Sequence, residues 1–473
     1  MSQPSFYWHD YETWGVDPVR DRPCQFAGIR TDAELNEIGE PLNLFCRPGL
    51  DVLPSPEASL ITGISPSHAE REGVSEREFM AAIHEQLAQP QTCGVGYNSI
   101  RFDDEISRHN LYRNFYDPYA REWQHGNSRW DLLDPVRAFA ALRPQGIEWP
   151  RRDDGSASFK LEHLTVANGI EHHGAHDALS DVRATIALAR LLRAANRELF
   201  DYLLALRDKR RVMQLLDLKH RKPMLHSSGR FPNQFLCTSL IVPLAPHPTN
   251  RNAVICADLR AAPVWLDWDA ETIRERLYTA SADLGEGESR PALKLVHCNR
   301  APALAPLSVM DAAVEQRLAL DRRQCERHYQ QLIGAPDLPA KLTEVFRSGG
   351  FPARDDPDEM LYDGFFEDDD KRLMVQVRNA SARELAGHWA FRDERLPELL
   401  WRYRARNFPD SLSPEEQARW LTFCRERWQN LPAVQQSLDT LLSDPATPEQ
   451  RRPALQAFDQ WLRERAAVLE LGA

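Results

Sequence analysis

Trp8-His9-Asp10-Tyr11-Glu12-Thr13 closes an apolar, aromatic run that begins Phe6-Tyr7. The run reads as a β-strand. Side chains two residues apart on a strand share a face. Asp10 and Glu12 therefore project together, with Cα atoms roughly 7 Å apart. Two carboxylates held that close repel each other, and a bound cation relieves the repulsion. Asp-x-Glu is a common pair, and a strand end entering a polar loop has the same form. Its meaning depends on what the rest of the chain brings beside it.

The chain has 473 residues, too many for one ordinary core, so two to three domains are expected. Hydrophobic residues make up 42% and charged residues 27%, the balance of a soluble globular protein. No apolar run approaches the length of a membrane span. The start lacks the basic-then-apolar pattern of a signal peptide. Eight cysteines are scattered with no C-x-x-C, which argues for reduced thiols in a cytoplasm rather than disulfides or a structural zinc. The net charge of −12 is not that of a non-specific DNA coat, but local fields outweigh totals.

In chain order, Gln25–Arg30 and Leu42–Cys46 read as two further strands, with Asn36 and Gly39 supplying turn chemistry. Together with the first strand they suggest an antiparallel meander. Residues 54–66 read as loop with a short helix at best. Phe79, Ile83 and Leu87 fall on one helical face within 76–87. Cys93–Tyr97 reads as a short buried strand, followed by acidic residues where a helix begins. Asp103 and Asp104 there suit the helix dipole, and Asp103, following a strand and a turn, also reaches toward the first strand. Asp131–Leu142 and Lys160–Asn168 carry two more helices. His172-His173-Gly174-Ala175-His176-Asp177 then leads into a long helix over 178–195, with Asp177 as its N-cap. Asp181 lies in its first turns and His176 just ahead of it. His172 and His173 read as exposed loop histidines.

Beyond 196 the chain turns basic over Arg207–Arg230, a solvated helix face or a phosphate contact. Leu236–Val242, Ala253–Leu259 and Lys294–His297 read as strands of a small β-rich module. Residues 309–347 are helical, 348–358 read as linker, and the chain from Glu359 on is all-helical. Arg402–Pro409 interleaves basic and aromatic residues, which suits base stacking or a structural helix end.

Asp10, Glu12, Asp103, His176 and Asp181 appear in the order D-x-E, strand–helix Asp, H-x-x-x-x-D. This resembles the DEDDh exonucleases in their histidine version. The likeness extends through Gly96-Tyr97-Asn98, Arg101–Glu105, Tyr112–Tyr119, Asn127–Asp134, Asn168–His172, Asn250–Val254, Arg274–Thr279 and Arg402–Pro409, which closely resemble bacterial exodeoxyribonuclease I. It covers nearly the whole chain and is weakest over about the last sixty residues. The resemblance implies an α/β architecture in three parts. An RNase H-like exonuclease domain with a mixed sheet spans 1–196, an SH3-like β module with flanking helices 197–350, and a C-terminal helical domain 351–473. It implies a processive 3′→5′ exonuclease that degrades single-stranded DNA to 5′-mononucleotides in DNA repair and recombination. It also implies a cytoplasmic monomer that binds the C-terminal tail of single-stranded DNA-binding protein, near Arg143, Tyr202, Arg317 and Arg322.

The chemistry fits the residues. Phosphodiester hydrolysis builds charge on oxygen, and two Mg²⁺ ions about 4 Å apart clamp the attacking and leaving oxygens. Mg²⁺ takes oxygen ligands, which Asp10, Glu12, Asp103 and Asp181 supply without a cysteine, and Mn²⁺ is an expected substitute. Asp10 is expected to bridge both ions, and His176, with an ordinary pKa of about 6.5, to take the proton from the attacking water. Glu12, Asn98, Arg101, Phe102, Trp130 and Lys160 are the substrate-contact candidates. Tyr7, Trp8 and Tyr11 are weighed for stacking too, with the core as their commoner place. Competing readings are a proofreading or RNA 3′-exonuclease on the same core, and a catalytically silent DNA-binding scaffold.

Overall fold

The computed structural model describes residues 3–172, 177–280, 282–285, 287–347 and 354–471. The chain forms two compact units. One comprises Met1–Ser128, His172–Thr185 and Ala353–Ala473; the other comprises Arg129–Glu171 and Ile186–Pro352.

The first unit is built on strands β1 (Ser5–Thr13), β2 (Pro23–Thr31), β3 (Glu37–Phe45) and β4 (Thr92–Gly96), in the order β3-β2-β1-β4. The meander is antiparallel, while β4 lies parallel to β1, so the sheet is mixed. The helix Glu76–Leu87 connects to β4, with a capping box between Ser75 and Glu78 and Phe79, Met80, Ile83 and Leu87 buried. Each such apolar side chain contributes about 1.5–3 kcal/mol. The stretch read as loop with a short helix at best holds the helix Pro56–Thr62, and a second helix, Pro66–Glu72, starts at its end. Each begins Ser-Pro, a serine N-cap followed by a proline at the first helical position, a signal that short length hides from periodicity.

Six α-helices and two 3₁₀ turns from Asp368 to Val468 complete this unit. Trp401, Trp420, Trp428, Phe458 and Trp461 form one core, against which Leu50, Leu53 and Leu60 pack. A second core joins Tyr112 and Phe115 to Leu361, Leu396 and Tyr403. Asp358, in the stretch expected to be linker, is fully buried. Arg406 Nη2 meets its Oδ2 at 2.6 Å and Arg402 Nη1 at 3.0 Å, with Arg22 and Arg427 close by. Arg406 also pairs with Asp51 at 2.9 Å. Arg404 is bound to Glu416. The Arg402–Pro409 run is thus a structural helix end rather than a free basic surface.

β5 (Ser128–Asp131) carries the chain into the second unit. There β6 (Met224–Ser227), β7 (Thr238–Pro246), β8 (Ala253–Asp258), β9 (Leu293–His297) and β10 (Ala303–Pro306) form an antiparallel sheet, β10-β6-β7-β8-β9. Ala141 and Leu142 of the helix Leu133–Leu142, and Leu342 and Val345 of Leu338–Phe346, share its core. All eight cysteines are buried and unbridged. Among the described residues no helix is long and apolar enough to cross a membrane.

Candidate active site

The site is set by where strand pairing stops. β1 pairs with β4 from Ser5↔Thr92 to Trp8↔Val95 and no further, although β1 continues to Thr13. β4 ends at Gly96, where a Cβ would lie 3.0 Å from His9 O, so the two backbones meet closely. The chain then turns through Asn98 in the left-handed conformation (φ 64°) and a short 3₁₀ turn, Ser99–Arg101, into the helix Asp103–Arg113. The Tyr11 N–H, beyond the reach of β4, donates to Asp103 Oδ1 at 3.0 Å. One turn along the same helix, Ser107 Oγ donates to the Tyr11 hydroxyl at 3.0 Å. One tyrosine thus docks the helix start on the strand end. Asp104 turns the other way, into a buried ion pair with Arg121 at 2.7 Å.

Asp10 and Glu12 share a face of β1, opposite Ala27 and Gln25 of β2. The helix Ala178–Ala195 brings Asp181 to them. One carboxylate oxygen from each of Asp10, Glu12 and Asp181 lies within 4.8 Å of the others. Gln25 fixes this arrangement from behind. Its amide donates to Asp177 Oδ1 and to Asn43 Oδ1, each at 3.0 Å, and its carbonyl accepts from Ala178 N at 3.4 Å.

Burial pushes the Asp10 carboxyl well above the carboxylate range, and Asp103, Glu12 and Asp181 push it further. Burial likewise raises Glu12, to about 9, with Asp181 and Asp103 adding to it and Arg451 opposing. Such a cluster holds its charge poorly by itself and suits a hard divalent cation, which favours the ionised form and takes oxygen ligands. The donor set contains no sulfur, and Asp103 lies beside Asp10 without joining the close trio.

His176 lies outside the described residues. His172, expected in solvent, is instead buried, its side chain 5% exposed, with Nε2 hydrogen-bonded to Asp181 Oδ1. Consecutive loop histidines carry no periodicity, so nothing local separated it from His173. Asn98 and Arg101 are exposed, and Phe102 packs partly against the core of the first unit. Lys160, in the second unit, is exposed and bonds Glu162 at 3.2 Å. Trp130 is 1% exposed and stands edge-on to Phe200 at 5.3 Å. It is a core residue and offers no face to a base. Tyr7, Trp8 and Tyr11 are buried too. In the second unit Arg143 and Arg317 both reach the last turn of Leu133–Leu142, bonding the carbonyls of Leu142 and Ala141 at 2.6 Å. Tyr202 lies on the neighbouring helix Arg197–Ala205, and Arg322 pairs with Glu315 at 3.3 Å.

Three family models match: an exonuclease model over residues 7–189, the exonuclease I SH3-like domain over 207–348 and the exonuclease I C-terminal domain over 355–465. Exodeoxyribonuclease I of Escherichia coli (strain K12) is 47% identical over 468 residues, 98% of each chain. A moderately thermophilic exonuclease I from Methylocaldum szegediense superposes with a TM-score of 0.94 at 48% identity, covering 98% of this chain and 99% of that one. The zinc-bound form of the E. coli exonuclease I–ssDNA complex does so with 0.94 at 46% identity, covering 98% and 100%. From its acidic strand end to its C-terminal helices, the chain belongs to the exodeoxyribonuclease I family.

Proposed function

We propose that this protein is a Mg²⁺-dependent, processive 3′→5′ exonuclease that degrades single-stranded DNA to 5′-mononucleotides. The observation that carries the proposal is the trio Asp10, Glu12 and Asp181, oxygens within 4.8 Å, with Asp103 bound to the Tyr11 N–H beside it. A zinc-bound relative in complex with single-stranded DNA supports both metal and substrate. We divide the chain as an exonuclease domain over 1–196, an SH3-like domain over 197–350 and a helical domain over 351–473.

Asp10, Glu12 and Asp181 would hold one ion, with Asp10 shared and Asp103 serving a second. The ions supply positive charge where the attacked phosphate gathers negative charge. Asp10 and Glu12, raised by burial and mutual repulsion, stay ionised only while cations are held. Tyr11 keeps Asp103 aimed by its backbone N–H, and Gln25 keeps the Asp181 helix seated, so the ligands are fixed before substrate arrives. His176 takes the proton of the attacking water. Asn98, Arg101, Phe102 and Lys160 contact the strand, and Arg143, Tyr202, Arg317 and Arg322 receive the acidic tail of single-stranded DNA-binding protein. We place this monomer in the cytoplasm, in DNA repair and recombination.

Digestion of 3′- and 5′-labelled single- and double-stranded DNA and RNA, with Mg²⁺ or Mn²⁺, tests the reading. Release of 5′-mononucleotides from the 3′ end of single-stranded DNA, lost in Asp10→Ala and His176→Ala, is the expected result. Binding without cleavage in either metal would leave a scaffold, and preference for RNA would leave an RNA exonuclease.

A further inference from the structure

The acidic side chains of the site have to be aimed, and two of them are held by a direct bond to the carboxylate. The Tyr11 N–H donates to Asp103 Oδ1. The Asp181 carboxylate is met by His172, whose Nε2 bonds Oδ1. Gln25 has a different part. It reaches Asp177 Oδ1 and Ala178 N, and so sets where the helix Ala178–Ala195 begins. The Asp181 N–H then donates to Asp177 O at 3.0 Å, and the Ser180 N–H to Asp177 Oδ2 at 3.2 Å. These bonds fix the backbone of the first turn. They do not fix the plane of the carboxyl group that extends from it, because its last torsion is soft and roughly two-fold. A hydrogen bond to one of its oxygens does.

The donor is shut in and its acceptor is left open. The His172 side chain is 5% exposed, whereas that of Asp181 is 18% exposed and shares the close trio with Asp10 and Glu12. The type of donor also matters. A carboxylate oxygen has two lone pairs, so accepting one N–H does not use up its capacity for a cation. A lysine or arginine in this place would bring a fixed positive charge and neutralise the carboxylate, as Arg406 and Arg402 do at Asp358. An imidazole offers an N–H from a neutral ring.

We propose that His172 is a positioning residue of the metal site, its Nε2–H fixing the Asp181 carboxylate in the attitude in which, with Asp10 and Glu12, it takes up a divalent cation. The inference rests on the metal-dependent reading above and deepens it. Hydrogen-bonding groups behind a metal ligand are worth about 10- to 100-fold in metal affinity. His172 acts through Asp181 and takes no proton from the attacking water, the part given to His176.

The test uses the full chain as wild type, His172→Leu and His172→Gln. Leucine fills the space without a donor, and glutamine keeps an N–H. Calorimetric titration of the metal-free proteins with Mn²⁺, without DNA, is expected to show affinity lowered roughly 10- to 100-fold in His172→Leu and largely recovered in His172→Gln. On a dT oligonucleotide His172→Leu should need correspondingly more Mg²⁺, with kcat close to wild type once the metal saturates. Asp181→Ala separates positioning from general damage: placed on top of it, His172→Leu should change Mn²⁺ affinity no further. Equal Mn²⁺ affinity in wild type and His172→Leu overturns the proposal. So does an equal loss in both His172 variants, which would make the shape of the ring rather than its donor the cause. A further loss on top of Asp181→Ala overturns it too, as does a kcat that stays low at saturating Mg²⁺, which would put His172 in the chemistry itself. A wild type that cuts no strand overturns only the nuclease reading, because the Mn²⁺ titration still decides this one.

Discussion

Two groups of buried carboxylates lie in the first unit, and they behave oppositely. Burial pushes the Asp358 carboxyl up, but Arg406, Arg402 and Arg22 more than reverse this and hold it below the usual carboxylate range. At Asp10 and Glu12 burial also pushes upward, and the nearest charges, Asp103 and Asp181, push the same way. Burial is common to both; the sign of the neighbours decides. Around Asp358 the counter-charges are built into the chain, so the cluster is complete and structural. At the strand end they are withheld, so the cluster is costly as it stands and receptive to cations.

The sharpest break in this contrast comes from removing one carboxylate at each place. Asp10→Ala is expected to lower kcat by about a thousandfold or more, the loss of several kcal/mol of charge stabilisation, in a nucleotide-release assay. Its folding in EDTA should be unharmed. Asp358→Asn should do the reverse. Leaving Arg402, Arg406 and Arg22 buried without their anion is expected to cost about 3–5 kcal/mol in chemical denaturation. Because the folded Asp358 carboxyl is depressed, its contribution is full above its ordinary value of about 4. It is lost as pH falls through and below that value.

Glu12→Gln should move stability upward. The folded Glu12 carboxyl sits near 9 rather than 4.5, so the charged form is penalised only in the folded, metal-free protein. The penalty is absent below about pH 4.5 and grows as pH rises toward 9. Denaturation in EDTA should show the variant gaining about 0.5–2 kcal/mol at neutral pH and above, with activity lost. Mg²⁺ should erase the gap by stabilising wild type alone. A gain that ignores pH would mean that Glu12 is already compensated, and the contrast with Asp358 would fail. The smallest expected effect belongs to Gly63→Ala. A left-handed alanine costs about 1 kcal/mol in thermal unfolding, and its Cβ would meet the Arg451 guanidinium, which must move aside.

Much of the sheet and part of the site were legible in residue order. Period-two alternation placed Asp10 and Glu12 on one face, a strand–turn pattern brought Asp103 to them, and the 178–195 helix was readable from Val182, Ile186, Ala189 and Leu192. What escaped has no local signal. Gln25 looks like one more residue of a buried strand, and its role exists only because β2 pairs with β1 beneath Asp177. His172 sits among other histidines. Asp358 was hidden in an acidic stretch that reads as solvent-exposed. Trp130 failed as a stacking residue because aromatic character does not distinguish a core ring from an open one.

The bond from Trp428 Nε1 to Leu50 O, 3.0 Å long, joins the helical segment to the turn that follows β3, as does Arg406 with Asp51, and Trp461 with Glu70 joins it to the helix Pro66–Glu72. These ties bear on modularity. The family models cut the chain into three parts, but its first and last parts are not interchangeable pieces. A stand-alone nuclease trimmed before residue 354 would expose Leu50, Leu53 and Leu60 and strand Asp51 and Arg22 without their partners. Transplanting the exonuclease fold into another protein would therefore require carrying its distant helical segment along, or redesigning the surface that segment covers.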